Sequence, residues 1–269
     1  LIKKQNPLLW ITGLWKQQNI ESSVGVKYDK DKLAKVIENL DCMAEENQIP
    51  SVSAKPEFTG EKFEVAAEQI GTAIDKDKFA ETVTKAINGF QSEVDLMKED
   101  CYILPKYTKD SPEVAKACEK MNSELGANIT LDFSPNTEVV DSSVISQWIT
   151  VDDNMQVTFN QDAVKQYIAD LAAKYDTVGK TRNFTTATGN VVQVEGGGYG
   201  WKIDQDAEYN ALITNIQNAE TVTREPNYSS RAATHDANDW GTTYAEVDLT
   251  AQHMYFIQNG QVAMQCDIR

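Results

Sequence analysis

Apolar residues recur at helical spacing in two stretches that share one design. "VKYDKDKLAKVIENL" from Val26 and "VTFNQDAVKQYIADL" from Val157 each read as a short alternating strand followed by an amphipathic helix. Asp29 and Asn160 stand at the helix starts, where a side-chain oxygen can accept from the free N–H groups of the first turn. Leu33, Ile37 and Leu40 are matched by Val164, Ile168 and Leu171 at a constant offset of 131 residues. A second pair of blocks follows in the same order. Gly71, Ile74, Asp75, Asp77 and Ile87 fall on Gly200, Ile203, Asp204, Asp206 and Ile216 at an offset of 129. Two blocks in the same order with so small a change in offset identify an internal repeat.

Between the blocks, "KPEFTGEKFEVAAEQIGTAID" and "NFTTATGNVVQVEGGGYGWKID" each predict a hairpin plus a strand, with Gly60 and Gly189 near the turns. The second helices begin at Asp75 and Asp204 and end near Asn88-Gly89 and Asn218. Each repeat then closes with a polar strand and a Pro-x-Tyr, Pro105 to Tyr107 and Pro226 to Tyr228. The unit reads β-α-β-β-α-β. Without a regular βαβ rhythm, the expected class is α+β, with two related units in tandem. In Ser111 to Met155, "SPEVAKACEKMNSEL" predicts a helix with Val114, Cys118, Met121 and Leu125 on one stripe. "ANITLDF" reads as a strand, and "SPNTEVVDSSVISQWITVDDN" as a loop with a short helix. "LLWITG" (Leu8 to Gly13) echoes "SQWITV" (Ser146 to Val151), which points to a cut through a longer protein at the N-terminus.

The chain ends in "AEVDLTAQHMYFIQNGQVAMQCDIR", which reads as a hairpin turning at Asn259-Gly260. The expected domains are therefore 1–110, 111–240 and 241–269.

Charge narrows the partners. A net charge of -16 opposes binding to nucleic acid, which needs clustered Lys and Arg, and docking on anionic lipid. No apolar run is long enough for direct membrane insertion.

Candidate chemistry is sparse. Cys42, Cys101, Cys118 and Cys266 have no metal-ligand spacing, so no zinc is expected. Within the repeat, Cys42 ends the first helix and Cys101 sits in the last strand. A Cys42–Cys101 disulfide is one option and buried free thiols are the other. "THDAND" (Thr234 to Asp239) could suggest a metal site, but it reads better as a solvated linker. The Asp-rich helix starts lack the spacing of a calcium loop. "EGGGYGW" (Glu195 to Trp201) has no helix directly after its glycines to receive a phosphate. Tyr199 and Trp201 alternate with Gly200 and would share one strand face, for packing or for stacking on a sugar ring. Cys266 with His253 is the one conceivable nucleophile and base, although Cys266 falls in an alternating strand. No cofactor is implied.

From "GGGYGWKID" through "REPNY" to "DWGTTYAEVDLTAQHMYFIQNGQVAMQCDI", the chain resembles the region of L,D-transpeptidases in which peptidoglycan-binding modules lead into a β-rich catalytic domain. The resemblance implies that residues 241–269 are the opening hairpin of that domain. The implied partner is peptidoglycan, as glycan strand or stem peptide, with the catalytic domain in cis. It also implies an extracellular, cell-wall location with an anchor upstream. The family's chemistry is acyl transfer through a Cys thiolate activated by a His, in an S-H-G-C type motif that this sequence does not contain. The expected role is therefore to bind or position; the alternative is a structural spacer with no ligand of its own.

Overall fold

A computed structural model describes residues 26–269. It is an α+β protein whose chain divides into two compact units. Among the described residues, one comprises 26–52 with Gln69–Pro105, and the other Ser53–Glu68 with Lys106–Arg269.

In the first unit, helix α1 (Lys30–Glu38) starts where Asp29 accepts from the N–H groups of Asp31 and Lys32. Helix α2 (Lys76–Asn88) is capped in the same way by Asp75 and ends at Gly89. Ile37, Met43, Ile74 and Phe79 form a small core between them. The expected strand at Val26–Asp29 is absent. Its counterpart β6 (Val157–Phe159) exists because β5 (Ile149–Val151) pairs with it. The echo of β5, Leu8 to Gly13, lies outside the described residues.

The second unit is built on β3 (Asn128–Phe133), which lies between β10 (Thr221–Arg224), parallel to it, and β4 (Asn136–Val140), antiparallel. Ile129, Leu131 and Phe133 point from β3 into the main core. Around it pack α3 (Pro112–Leu125), α5 (Gln161–Tyr175) and α6 (Gln205–Gln217), with the short α4 (Ser142–Ile145) following β4. All four residues of the expected α3 stripe, Val114, Cys118, Met121 and Leu125, are buried. The segment read as loop with a short helix also contains two strands, β4 and β5. Each is five residues or fewer, too short to show a period.

The hairpin β1 (Lys55–Phe58) and β2 (Phe63–Ala66) comes from the first repeat but packs on α3. Asn122 fixes it by mimicking a strand partner: its Oδ1 accepts from the Phe63 N–H and its Nδ2 donates to the Phe63 carbonyl, both at 2.8 Å. The corresponding hairpin of the second repeat is β7 (Arg182–Thr185) with β8 (Val191–Val194).

The repeat has a steric basis at its matched glycines. A Cβ on Gly71 would stand 2.0 Å from the Ile49 carbonyl oxygen, and one on Gly200 would stand 2.6 Å from the Val178 nitrogen. Ile49 and Val178 are themselves separated by the repeat offset of 129, so both units place one backbone against another at the same point. The Pro-x-Tyr correspondence needs correction. Tyr228, in β11 (Tyr228–Ser230), pairs with Ile203 of β9 (Lys202–Ile203), but Ile74 bridges to Tyr102, five residues before Tyr107. Tyr102 is thus the structural counterpart of Tyr228.

The C-terminal stretch forms three strands rather than two: β12 (Tyr244–Asp248), β13 (His253–Gln258) and β14 (Gln261–Asp267), in that order. Asn259 and Gly260 both have positive φ, the twist that a two-residue turn needs. The missed break is the turn at Leu249 to Gln252, where Asp248 accepts from the N–H groups of Thr250 and Ala251.

Glu124 on α3 is 1% exposed, and neither carboxylate oxygen has a hydrogen-bond partner. The Lys120 ammonium stands 3.7 Å away. Burial pushes the Glu124 carboxyl above its ordinary value against the weaker opposing pull of Lys120. The stability cost therefore builds up as pH rises from the unfolded value to that raised value, and below the unfolded value it is absent. Glu124→Met is expected to gain roughly 1–3 kcal/mol at pH 7. The gain should shrink towards pH 4 when urea unfolding of the two proteins is compared, and a variant less stable at pH 7 would contradict this account.

Candidate functional site

Arg182, on β7, is the point from which the site is built. Its guanidinium makes a two-pronged contact with Asp239, Nε to Oδ1 at 2.9 Å and Nη2 to Oδ2 at 2.6 Å. The Thr177 hydroxyl donates to the same carboxylate at 2.5 Å. Asp239 is 2% exposed. Its backbone carbonyl accepts three more donors: the N–H groups of Ala233 and Thr234, and the Tyr199 hydroxyl. The segment read as a solvated linker is therefore ordered and partly buried. Asp239 is held by a residue 57 positions away, which no local pattern reveals.

Tyr199 and Trp201 both turn to this segment. Trp201, 6% exposed, stacks on His235 at 3.8 Å between centroids and donates its indole N–H to the Thr234 carbonyl at 2.7 Å. Tyr199 commits its hydroxyl in both directions, accepting from Ala233 and donating to Asp239, yet its ring stays 47% exposed. The glycines before them allow backbone contact: a Cβ on Gly196 would overlap the backbone of Gly179.

Clamping of Asp239 carries the chain through Trp240 into β12 and opens a groove of about 830 Å³. One wall is formed by alternate residues of the β7–β8 hairpin: Arg182, Phe184 and Thr186 on one side, Val192 and Val194 on the other. Side chains two apart share a face, so this wall is a side-chain surface. The opposite wall is formed by Tyr244 through Thr250 without a gap. This wall is β12 and the turn that follows it, with the Tyr244 ring and the Glu246 carboxylate reaching across to the hairpin. The Ala187 N–H donates to Glu246 at 2.8 Å between the two walls. Phe184 meets Trp240 at 5.4 Å and Tyr244 at 5.6 Å, both tilted or edge-on. Burial, then the Glu246 carboxylate, raises the pKa of the Tyr244 phenol, which stays neutral near pH 7.

Of the residues singled out in the sequence, Tyr199 lines this groove and Trp201 does not. Val192, Val194 and Val247 were missed, although "VVQV" is apolar on both strand faces and so signals a strand needing cover on each side. A second cavity of about 400 Å³ lies beside α6, with Asn210, Thr214, Asn215 and Arg224 among its lining. Arg224 is committed there to the buried Glu208.

Cys42 is exposed and Cys101 buried, and both thiols are free; Cys101 approaches the Thr82 hydroxyl at 3.4 Å. Cys266 lies opposite Met254, whereas His253 lies opposite Asp267 and bonds it at 2.8 Å. Alternation sends the thiol and the imidazole to opposite faces, so they form no catalytic pair. Among the described residues, no group of three His, Cys, Asp or Glu side chains could hold a metal ion.

A family described as "Putative peptidoglycan binding domain" matches residues 4–95 and 107–224. The chain belongs to this family. Each matched segment holds one copy of the two repeat blocks, Val26–Leu40 with Glu68–Ile87 in the first and Val157–Leu171 with Gly197–Ile216 in the second. Among solved structures, the Ldtfm–avibactam carbamoyl enzyme is 31% identical over 57% of this chain and 60% of its own, with a TM-score of 0.45. A cysteine-to-serine mutant of the Enterococcus faecium L,D-transpeptidase is 32% identical over 55% and 59%, with a TM-score of 0.43. The chain thus spans about three fifths of the length of these structures. No curated protein matches it.

Asp239→Ala is expected to destabilise the protein by about 2–4 kcal/mol, because it leaves the largely covered Arg182 guanidinium without a counter-charge. Chemical unfolding measures this, and a loss below 1 kcal/mol would show that water replaces the carboxylate at little cost.

Proposed function

We propose that this chain binds peptidoglycan through the groove between the β7–β8 hairpin and β12, and positions an L,D-transpeptidase catalytic region on the cell wall. The observation that carries the reading is the groove itself, in a chain of a peptidoglycan-binding family. Val192, Val194, Val247 and Leu249 remain exposed around it, apolar side chains left open to a ligand. The tandem modules would be residues 1–110 and 111–240, with residues 241–269 opening the catalytic domain. Acyl transfer would use a Cys nucleophile outside this chain, since Cys266 and His253 face apart.

A cell-wall location follows from the same reading. Among the described residues no helix is long and apolar enough to cross a membrane, so an anchor would lie elsewhere. The spacer alternative draws on Trp201, whose burial gives the glycine-rich stretch a packing role without any ligand.

Co-sedimentation with insoluble peptidoglycan separates the two. The chain is expected in the pellet, and the exposed double substitution Val192→Asp with Val247→Asp should lower the bound fraction at least tenfold while leaving the circular dichroism spectrum unchanged. Wild-type protein that stays in the supernatant would favour the spacer.

A further inference from the structure

The loop between β8 and β9 contains two glycines for which the fold has no use. A Cβ on Gly71, Gly196 or Gly200 would meet backbone at 2.6 Å or less, and Gly60, Gly189 and Gly260 have positive φ. Gly197 and Gly198 have neither reason: their φ lies outside the left-handed region, and a Cβ on either would have no atom within 4 Å. Both are exposed. Among the described residues, the Gly197 N–H and both backbone groups of Gly198 bond no other backbone group. Glycine serves where a backbone must be approached closely, and here no protein atom makes the approach. Next to them stands Tyr199, whose ring is 47% exposed and whose hydroxyl is tied to Ala233 and Asp239. Those two bonds fix the ring before any ligand arrives, so little ordering remains to be done on binding. Phe184, by contrast, packs against Trp240 and Tyr244, and Trp201 is covered by His235.

The first repeat has no such place. At the offset of 129, Gly197, Gly198 and Tyr199 correspond to Glu68, Gln69 and Ile70. There the Gln69 backbone is closed by its bridge to Val52, and the Glu68 carboxylate accepts from the Lys109 N–H.

A ligand fits the second-repeat loop if it has an apolar face, a hydrogen-bonding rim and an amide. A pyranose ring supplies the first two. Its C–H bonds present a weakly positive face to the negative face of the phenol ring. Its hydroxyls can donate to the Glu195 carboxylate, which lines the same groove as Gly197 and Tyr199. An acetamido group supplies the amide, with one donor and one acceptor for the open glycine backbone. Charge adds a further condition. Arg182, the only basic residue lining the groove, is committed to Asp239, so a neutral sugar is favoured over an anionic one.

We propose that Gly197, Gly198 and Tyr199 form a subsite for an N-acetylated sugar of a neutral glycan strand. The sugar ring stacks on Tyr199, and its acetamido group lies against the glycine backbone. This rests on the peptidoglycan-binding reading and refines it: the glycan is recognised at this point of the groove, by the second repeat alone.

Calorimetric titration of the whole chain tests this with three probes: an N-acetylglucosamine tetramer, a cello-tetramer with hydroxyls in place of the acetamido groups, and a sugar-free tetrapeptide stem. The N-acetylated tetramer is expected to bind, the cello-tetramer roughly tenfold more weakly, and the peptide should not compete. Gly198→Val and Tyr199→Leu should each weaken the N-acetylated tetramer by about tenfold or more. Tyr199→Leu also cuts the ties to Ala233 and Asp239, so Gly198→Val decides. Its side chain meets no protein atom, and its urea unfolding midpoint should be no lower than that of the wild type. Unchanged affinity in Gly198→Val overturns the subsite, and equal affinity for the cello-tetramer overturns the acetamido contact. A peptide that displaces the tetramer overturns the assignment to glycan. If the N-acetylated tetramer does not bind while the chain sediments with insoluble peptidoglycan, the inference falls and peptidoglycan binding stands. If the chain binds neither, both readings fall.

Discussion

The pairing of Arg182 with Asp239 is the constraint on which the site depends. A carboxylate almost fully removed from water is tolerable only if its lone pairs are filled, and here two guanidinium nitrogens and the Thr177 hydroxyl fill them. Its consequence is geometric. Arg182 belongs to a hairpin wall of the groove, and Asp239 immediately precedes Trp240 and the strand that forms the other wall. One interaction therefore sets the separation between an apolar face and a strand edge that is unpaired among the described residues. The Tyr199 hydroxyl and the Asp239 carbonyl add a second tie at the same point.

The remaining polar framework follows the same logic at smaller scale. Asn122 holds a first-repeat hairpin through both backbone groups of Phe63. Glu208, with no exposed surface, takes four donors from Arg224 and Asn227 and so fixes the turn between β10 and β11. Glu124 departs from this pattern: it is buried on α3 without a donor. These contacts link segments distant in sequence, which lets short strands and a modest core hold a defined shape.

Much of this fold could be read from the chain because its signals are local. The Asp and Asn caps, the α3 stripe and the glycine turns each act within a few residues, and the repeat made them doubly visible. What could not be read depends on partners far away. Val26–Asp29 looks like Val157–Phe159 but has no strand beside it among the described residues. Tyr107 looks like Tyr228, but pairing assigns that place to Tyr102. Asp239 looked solvated because nothing near it in sequence announces Arg182. Tyr199 was legible as a candidate, whereas the valines opposite β12 were not singled out. Their exposure becomes evident only once β12 is seen to leave a gap beside them.

Hydrogen exchange of the whole chain, with and without soluble peptidoglycan fragments, addresses the central claim that ligand enters between the hairpin and the strand edge. The account predicts slower exchange at outward-facing amides of Tyr244 to Asp248, with little change along Asn210 to Asn227. Protection confined to Asn210 to Asn227, with β12 unaffected, would contradict it.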